Sequence, residues 1–207
     1  AFALTTPSLS PDAGKIVSQA MDGKTSCTML LGCGIPMNPT HEQYVPLIIA
    51  VDALGGDFIS RLMQEVRVKR GLTYGCNARC SQTDPSTLVF KASGTFAPSL
   101  AERGVKACRD VVRRWRRDGI TQSEFDLAKK RALDRHFIAS ESSARVSDAL
   151  HRARLYFELP SKHCLETPER IQRVTLAQCN EAIQSMPAFE DMVTVVAGAL
   201  PKKSTMF

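Results

Sequence analysis

Arg67 and Tyr74, a guanidinium and a phenol, lie seven residues apart on either side of Gly71. In an unbroken helix, positions seven apart share a face and are about 10 Å apart along the axis. Gly71 breaks the helix, so the chain turns and Tyr74 opens a strand. The turn can bring a guanidinium and a phenol to one end of a sheet, where both donate to an oxygen that gains negative charge during a reaction.

The residue types allow other interpretations of the same pair. Arg67 could orient Tyr74 or a substrate backbone instead of contacting the reacting atoms. Both could also be structural, with Arg67 in an ion pair on a helix surface and Tyr74 half-buried at a strand end. Sequence spacing alone leaves these alternatives open.

The four histidines do not form a metal-binding pattern. No two of them are three to five residues apart, and His41-Glu42 is not followed by a histidine at the spacing of a zinc-binding helix. His163-Cys164 is an isolated adjacent pair. The sequence therefore predicts neither a metal nor a cofactor site on this chain.

The seven cysteines do not indicate a disulfide framework, because their number is odd and the chain is too long for a small disulfide-rich domain. Cys76 and Cys80 lie four residues apart in a predicted strand. That spacing covers about 13 Å, too far for a bond or a shared metal. We expect buried, inert thiols.

A basic helix near residues 100–117 is the main source of the net charge of +6. One interpretation is a surface that contacts phosphate groups of nucleic acid. The helix has no exposed aromatic residues for base stacking, because Trp115 falls on its apolar stripe. We therefore expect a solvated surface that binds no nucleic acid. The basic residues are Arg103, Lys106, Arg109, Arg113, Arg114, Arg116 and Arg117.

Composition and periodicity predict one α+β domain. Hydrophobic residues make up 43% and charged residues 23%, which excludes a disordered tail, a coiled coil and a collagen. The longest apolar run has about five to six residues, too short for a membrane span. Residues 1–13 are rich in proline, serine and threonine and indicate a linker before a domain at 14–207.

The predicted elements favour a mixed or mostly antiparallel sheet of about five to six strands with helices on one face. Two strands at 15–21 and 25–32 flank Asp22-Gly23, a hairpin signal. A helix follows from Asn38 to about residue 54, and a short amphipathic helix covers 60–67. Two strands at 72–83 and 87–96 precede four helices and a last strand at 191–200.

The segment from residue 54 to residue 74 carries three linked motifs. It reads Leu-Gly-Gly at 54–56, Ser-Arg-Leu at 60–62, and Glu-x-Arg-x-x-x-Gly-x-x-Tyr at 65–74. In these positions the sequence resembles the C-terminal half of the M16 (pitrilysin, or insulinase-like) zinc peptidases. The resemblance continues to the last strand, which ends in Ala197-Gly198.

The resemblance implies a two-part enzyme. Members of this family have two similar α+β halves that close like a clamshell over a peptide substrate. The first half carries the zinc motif of two histidines and two glutamates, which has no match here. The second half contributes an arginine and a tyrosine, which correspond to Arg67 and Tyr74 as catalytic residues. The expected partner is a zinc-binding half or subunit, and a dimer is compatible with the family.

Two alternative functions remain open in addition to that of a metalloendopeptidase half. The family also contains non-catalytic structural or substrate-holding subunits, and an arginine–tyrosine pair does not separate the two. A third reading is a basic nucleic-acid-binding domain that uses the arginine-rich helix. The sequence predicts that the isolated chain cleaves no peptide, because the zinc ligands are missing.

Overall fold

The computed structural model describes residues 14–200, as a five-stranded sheet with helices packed on one face. The predicted linker, residues 1–13, lies outside the described residues. The spatial order of the strands is β1-β5-β2-β4-β3, with β1 parallel to β5 and every other pair antiparallel. The predicted α+β class with a mixed sheet is confirmed. The strands are β1 (Ile16–Ala20), β2 (Cys27–Pro36), β3 (Gly75–Asp84), β4 (Thr87–Phe96) and β5 (Val193–Gly198).

The predicted hairpin at Asp22-Gly23 is wrong, because β5 lies between β1 and β2. Ile16 pairs with Thr194 of β5, and Cys27 pairs with Gly198. Residues 21–26 must therefore cross two strand spacings, about 10 Å, which six residues span easily. Gly23 does adopt the left-handed backbone conformation of a turn, with φ +73°. The Asp22-Gly23 signal is local, so it does not indicate that β5, from the far end of the chain, lies between β1 and β2.

One face of the sheet is buried and the other is open. In β2, Cys27, Met29 and Leu31 are fully buried, whereas the alternate residues Thr28 and Leu30 are exposed. This period of two is what a sheet covered on a single face requires.

Helices α1 (Tyr44–Gly55) and α2 (Ala101–Asp118) supply many of the buried side chains that pack on the sheet. Helix α1 packs on β3 and is apolar around most of its circumference, because α3 and α7 cover its other sides. Helix α2 packs on β4, where the fully buried Trp115 stacks on Phe90 with ring centroids 5.7 Å apart. The α-helices are α1 (Tyr44–Gly55), α2 (Ala101–Asp118), α3 (Gln122–Ser140), α4 (Ser143–Phe157), α5 (Lys162–Leu165), α6 (Thr167–Arg173) and α7 (Leu176–Ser185).

Helix α1 begins later than the sequence predicts. The Asn38 side chain accepts hydrogen bonds from the backbone N–H of Thr40, at 2.9 Å, and from its hydroxyl, at 2.6 Å. Asparagine thus closes a local turn rather than a helix cap, and the helix starts at Tyr44. Between residues 14 and 200, no helix is both long and apolar enough to cross a membrane.

Candidate functional site

Arg67 lies on a short π-helix, Met63–Val68, and not on the α-helix that the sequence predicts. The backbone N–H of Lys69 donates to the carbonyl of Gln64, five residues earlier, at 3.0 Å. Such wide turns are uncommon and occur often at functional sites.

Gly71 ends this helix, as predicted. It has φ +62°, a left-handed conformation that favours glycine. The N–H of Gly71 donates to the carbonyl of Arg67 at 2.9 Å, and that of Leu72 donates to Val66 at 3.1 Å. Because Leu72 is buried, it anchors the chain as it turns toward β3.

Thr73 fixes the segment that carries Tyr74. Its buried hydroxyl donates to the carbonyl of Thr95 in β4 and accepts from the N–H of Gly75 at 3.1 Å. With its neighbours held on both sides, Tyr74 projects into solvent and is 93% exposed.

Arg67 and Tyr74 line the same cavity, of about 890 Å³. The Arg67 guanidinium lies over the Phe58 ring, 4.9 Å from its centroid. Within residues 14–200, Arg67 has no carboxylate partner and the Tyr74 hydroxyl has no hydrogen-bond partner. The site therefore presents two donors that no group of the described chain occupies. Their catalytic role stays a prediction.

The two glycines of the Leu-Gly-Gly motif permit close approach at the cavity rim. A Cβ atom on Gly55 would collide with the backbone of Ala78 in β3. A Cβ on Gly56 would collide with Asp52 one turn earlier in α1. A side chain at Gly55 would push the rim away from β3, and one at Gly56 would displace the Asp52 carboxylate.

A buried carboxylate on α1 joins the rim to α3. Asp52 accepts from the Arg131 Nε at 2.9 Å and pairs with Arg135 at 2.7 Å. Arg131 also pairs with Asp57 of the rim at 3.2 Å. Because Asp52 is 7% exposed, these cations are needed to compensate its burial.

A second charged pair fixes the start of the π-helix. Arg61 donates through Nε and Nη2 to the two carboxylate oxygens of Glu124, at 2.7 and 2.5 Å. Burial raises the pKa of Glu124, but hydrogen bonds from Arg61 and Thr121 outweigh it and the net pKa is lowered. The Ser-Arg-Leu motif thus acts as an anchor between the π-helix and α3.

Sequence reasoning missed the residues that support the pair. Glu124 was visible as part of a capping box with Thr121, but its tie to Arg61 was not. Asp52 could have been suspected, since a lone carboxylate in an apolar helix needs a partner. No sequence pattern indicates Thr73, because its role depends on the hydrogen bond from its hydroxyl to the carbonyl of Thr95 in β4.

Among residues 14–200, no three or more His, Cys, Asp or Glu side chains lie close enough to hold a metal ion. His163 is engaged instead with Arg170, at 2.7 Å from the guanidinium.

Some of the basic side chains of α2 make contacts within the protein. Arg116 donates to backbone carbonyls of Met186 and Gln184, at 2.7 and 3.0 Å, and Arg113 stacks on Phe189. Arg114 pairs with Glu65 at 3.6 Å. The other cations of this helix, among them Arg103, Lys106 and Arg117, are exposed, and the expectation that the surface binds no nucleic acid stays a prediction.

Sequence comparison places the chain in a known family. The family described as Peptidase M16 inactive domain matches residues 6–132, more than half of the chain. The chain therefore belongs to the M16 C-terminal, or inactive, domain family, and the resemblance seen in the motifs is confirmed.

Individual relatives agree with this assignment. A Helicobacter pylori protein named "Non-peptidase homolog YmxG" is 29% identical over 146 residues, covering 69% of this chain and 33% of that protein. A Mycobacterium bovis protein named "Uncharacterized zinc protease Mb2805c" is 33% identical over 147 residues, covering 67% of this chain and 31% of that protein. The chain thus spans about a third of the length of these curated relatives.

A solved structure shares the fold. The peptidase M16 inactive domain from Pseudomonas fluorescens superimposes with a TM-score of 0.74 at 26% identity, over 88% of this chain and 42% of that one. The chain is an M16 C-terminal peptidase-like domain of the kind called inactive.

Proposed function

We propose that this chain is the non-zinc half of a zinc-dependent metalloendopeptidase, in which Arg67 and Tyr74 contact the scissile carbonyl group of a peptide. The observation that carries the proposal is that these two donors line one cavity and are free of partners within the described residues. A cavity of about 890 Å³ lies within the range of about 300–1,000 Å³ that is typical of ligand-binding sites.

The chemistry of the pair suits a developing oxyanion. As the carbonyl carbon becomes tetrahedral, its oxygen gains negative charge, and a phenol and a guanidinium both donate to it. Stacking on Phe58 holds the Arg67 guanidinium, and the hydrogen bonds of Thr73 hold the backbone beside Tyr74, whose own side chain is exposed. A donor that is held before substrate arrives lowers the barrier without a cost of reorientation, and among the two this applies to Arg67.

Zinc belongs to the other half in this proposal. When bound on a partner half or subunit, zinc would polarise the carbonyl group and activate the attacking water. The support is the family assignment, in which relatives about twice as long as this chain carry the name zinc protease.

The test is reconstitution with the zinc-carrying half. The chain alone, the zinc half alone and the two together are assayed for zinc content and for cleavage of a peptide library. We expect chelator-sensitive cleavage only from the combined halves, with no stoichiometric zinc on the chain alone. Tightly bound zinc and cleavage by the chain alone would refute the proposal.

A second candidate function is a non-catalytic subunit that holds peptides. It is favoured by the printed name of the Helicobacter pylori relative, a non-peptidase homolog. In that case the combined halves bind a peptide without cleaving it, and Arg67→Ala weakens the binding. Arg79→Ala is the matched control, because Arg79 is exposed on β3 but does not line the cavity.

A further inference from the structure

A second cavity, of about 360 Å³, lies where the start of α1 meets α6 and α7. The described residues that line it are all different from those that line the Arg67–Tyr74 cavity. Among them, Arg170 and Arg173 of α6 stand against a single carboxylate, that of Glu42. Its volume is at the low end of the range for small-molecule sites. The charge and the size of this cavity therefore indicate a small anion.

Arg170 is a partly buried cation without a carboxylate partner among the described residues. Its Nη1 lies 2.7 Å from Nε2 of His163, and its Nη2 donates to the His163 carbonyl at 2.9 Å and to the Thr167 hydroxyl at 3.0 Å. Its Nε is buried and has no hydrogen-bond partner in the part of the chain that the structure describes. Glu166, whose charge acts on Arg170, pairs instead with Lys162 at 3.1 Å. An anion in the cavity would supply the charge that Arg170 lacks.

The contact between Arg170 and His163 does not supply that charge. A guanidinium only donates hydrogen bonds, so the His163 nitrogen at 2.7 Å must accept and the ring is neutral. In agreement, burial and the charge of Arg170 lower the pKa of His163. Burial also lowers the pKa of Arg170. Arg170 thus has an acceptor in His163 but no counter-charge.

Three further features of the cavity suit an anion. Arg173 is exposed and, within residues 14–200, has neither an ion-pair nor a hydrogen-bond partner. Nδ1 of His41 accepts from the N–H of Gln43 at 3.2 Å, so the neutral ring carries its proton on Nε2, which is a donor. Helix α1 begins with no acidic residue in its first turn and no side-chain cap from Gln43. The positive end of its dipole is therefore uncompensated at the cavity.

We propose that this cavity binds the phosphate group of a small phosphorylated molecule, with Arg170, Arg173 and His41 as the donors. Two arginines without carboxylate partners match a dianion better than the single charge of a carboxylate. Donors from three separate residues suit the three terminal oxygens of a phosphate monoester. The volume of about 360 Å³ leaves room for an organic group beside the phosphate. The exposed Glu42 would repel a second anionic group and can accept from a hydroxyl of the ligand.

The experiment is isothermal titration calorimetry of the folded chain in a phosphate-free buffer near neutral pH, with glycerol phosphate as the probe. Inorganic phosphate and acetate, at matched ionic strength, are the comparison probes. We expect saturable binding of glycerol phosphate at one site, weaker binding of inorganic phosphate and no measurable binding of acetate. The titration needs neither zinc nor peptidase activity, so its outcome is independent of the proposed function.

Variants at the two arginines locate the binding site. Arg173→Ala should weaken the binding of glycerol phosphate about 10- to 100-fold, the loss expected for one hydrogen bond between charged groups. Arg170→Lys keeps the charge but loses the planar fork and should also weaken it. Arg103→Ala is the matched control, an exposed arginine of α2 that does not line the cavity, and should bind like wild type. Because Arg173 makes no contact within the described residues, its variant tests the proposal even where Arg170→Lys disturbs the fold.

Four results would overturn the proposal. The first is no binding of glycerol phosphate by the folded chain at millimolar concentrations. The second is wild-type affinity in Arg173→Ala, or an equal loss in Arg103→Ala. The third is acetate that binds as tightly as glycerol phosphate, which would indicate a site for any anion. The fourth is tighter binding of inorganic phosphate, which would assign the cavity to the free ion.

Discussion

Glu124→Gln should destabilise the fold by breaking the anchor between the π-helix and α3. Glutamine keeps the carbonyl oxygen that caps α3 at Thr121 but loses the charge that Arg61 pairs with. The side chains of Arg61 and Glu124 are only 18% and 24% exposed, so solvent screens the pair weakly. Hydrogen bonds to charged groups contribute about 1.5–3 kcal/mol. At about 2–4 °C per kcal/mol for a chain of this size, the melting temperature should fall by about 3–12 °C.

The stability that Glu124→Gln removes should be largest near neutral pH and should shrink as the pH falls. The folded pKa of Glu124 is lowered from 4.5, so its contribution is fully present above pH 4.5. It is lost as pH falls through the folded pKa, where wild type and variant should converge. Thermal melts at pH 7 and across the acid range measure both effects. Asp126→Asn is the control, an exposed carboxylate on the same helix that bonds Gln122 rather than a cation. A Glu124→Gln loss no larger than that of the control, or one independent of pH, would refute the reasoning.

Further predictions address the turn and the basic helix. Gly71→Ala should cost about 1 kcal/mol because of its left-handed backbone, whereas Gly75→Ala, with a negative φ and open space around it, should cost less in a urea titration. A small difference between the two would contradict the role assigned to the turn. The chain should show no salt-dependent binding of duplex or single-stranded DNA in a fluorescence anisotropy titration near physiological salt. Micromolar binding that Arg113→Ala plus Arg117→Ala abolishes would show that the helix is a nucleic-acid surface.

Local patterns predicted the elements best where the signal and its cause lie close together in sequence. The capping boxes at Thr121 and Thr175 start α3 and α7 where predicted, because both partners lie within one turn. Asp84 and Ser86 form the predicted turn between β3 and β4, with Asp84 accepting from the Ser86 N–H at 2.8 Å. Gly71 ends the π-helix for the same local reason.

Features set by distant residues could not be predicted in this way. Whether β1 pairs with β2 depends on where β5 inserts, some 170 residues later. The π-helix that carries Arg67 packs against α2, and the exposed Tyr74 follows a threonine that is hydrogen-bonded to β4, so both contacts join segments that are distant in sequence. The motifs therefore predicted Arg67 and Tyr74 as candidates. Only the tertiary contacts determine that both residues line one cavity and that, within the described residues, neither has a polar side-chain partner.

The most direct test of the central claim is steady-state kinetics of Tyr74→Phe in the complete two-half protein. If the hydroxyl donates to an oxygen that gains charge only in the transition state, kcat should fall by about 10²–10³ while KM changes little. Arg67→Ala should reduce kcat at least as much. Tyr156→Phe, an exposed tyrosine that does not line this cavity, should have no effect, and all three variants should melt like wild type. Wild-type kcat in a fully folded Tyr74→Phe protein would contradict the catalytic assignment.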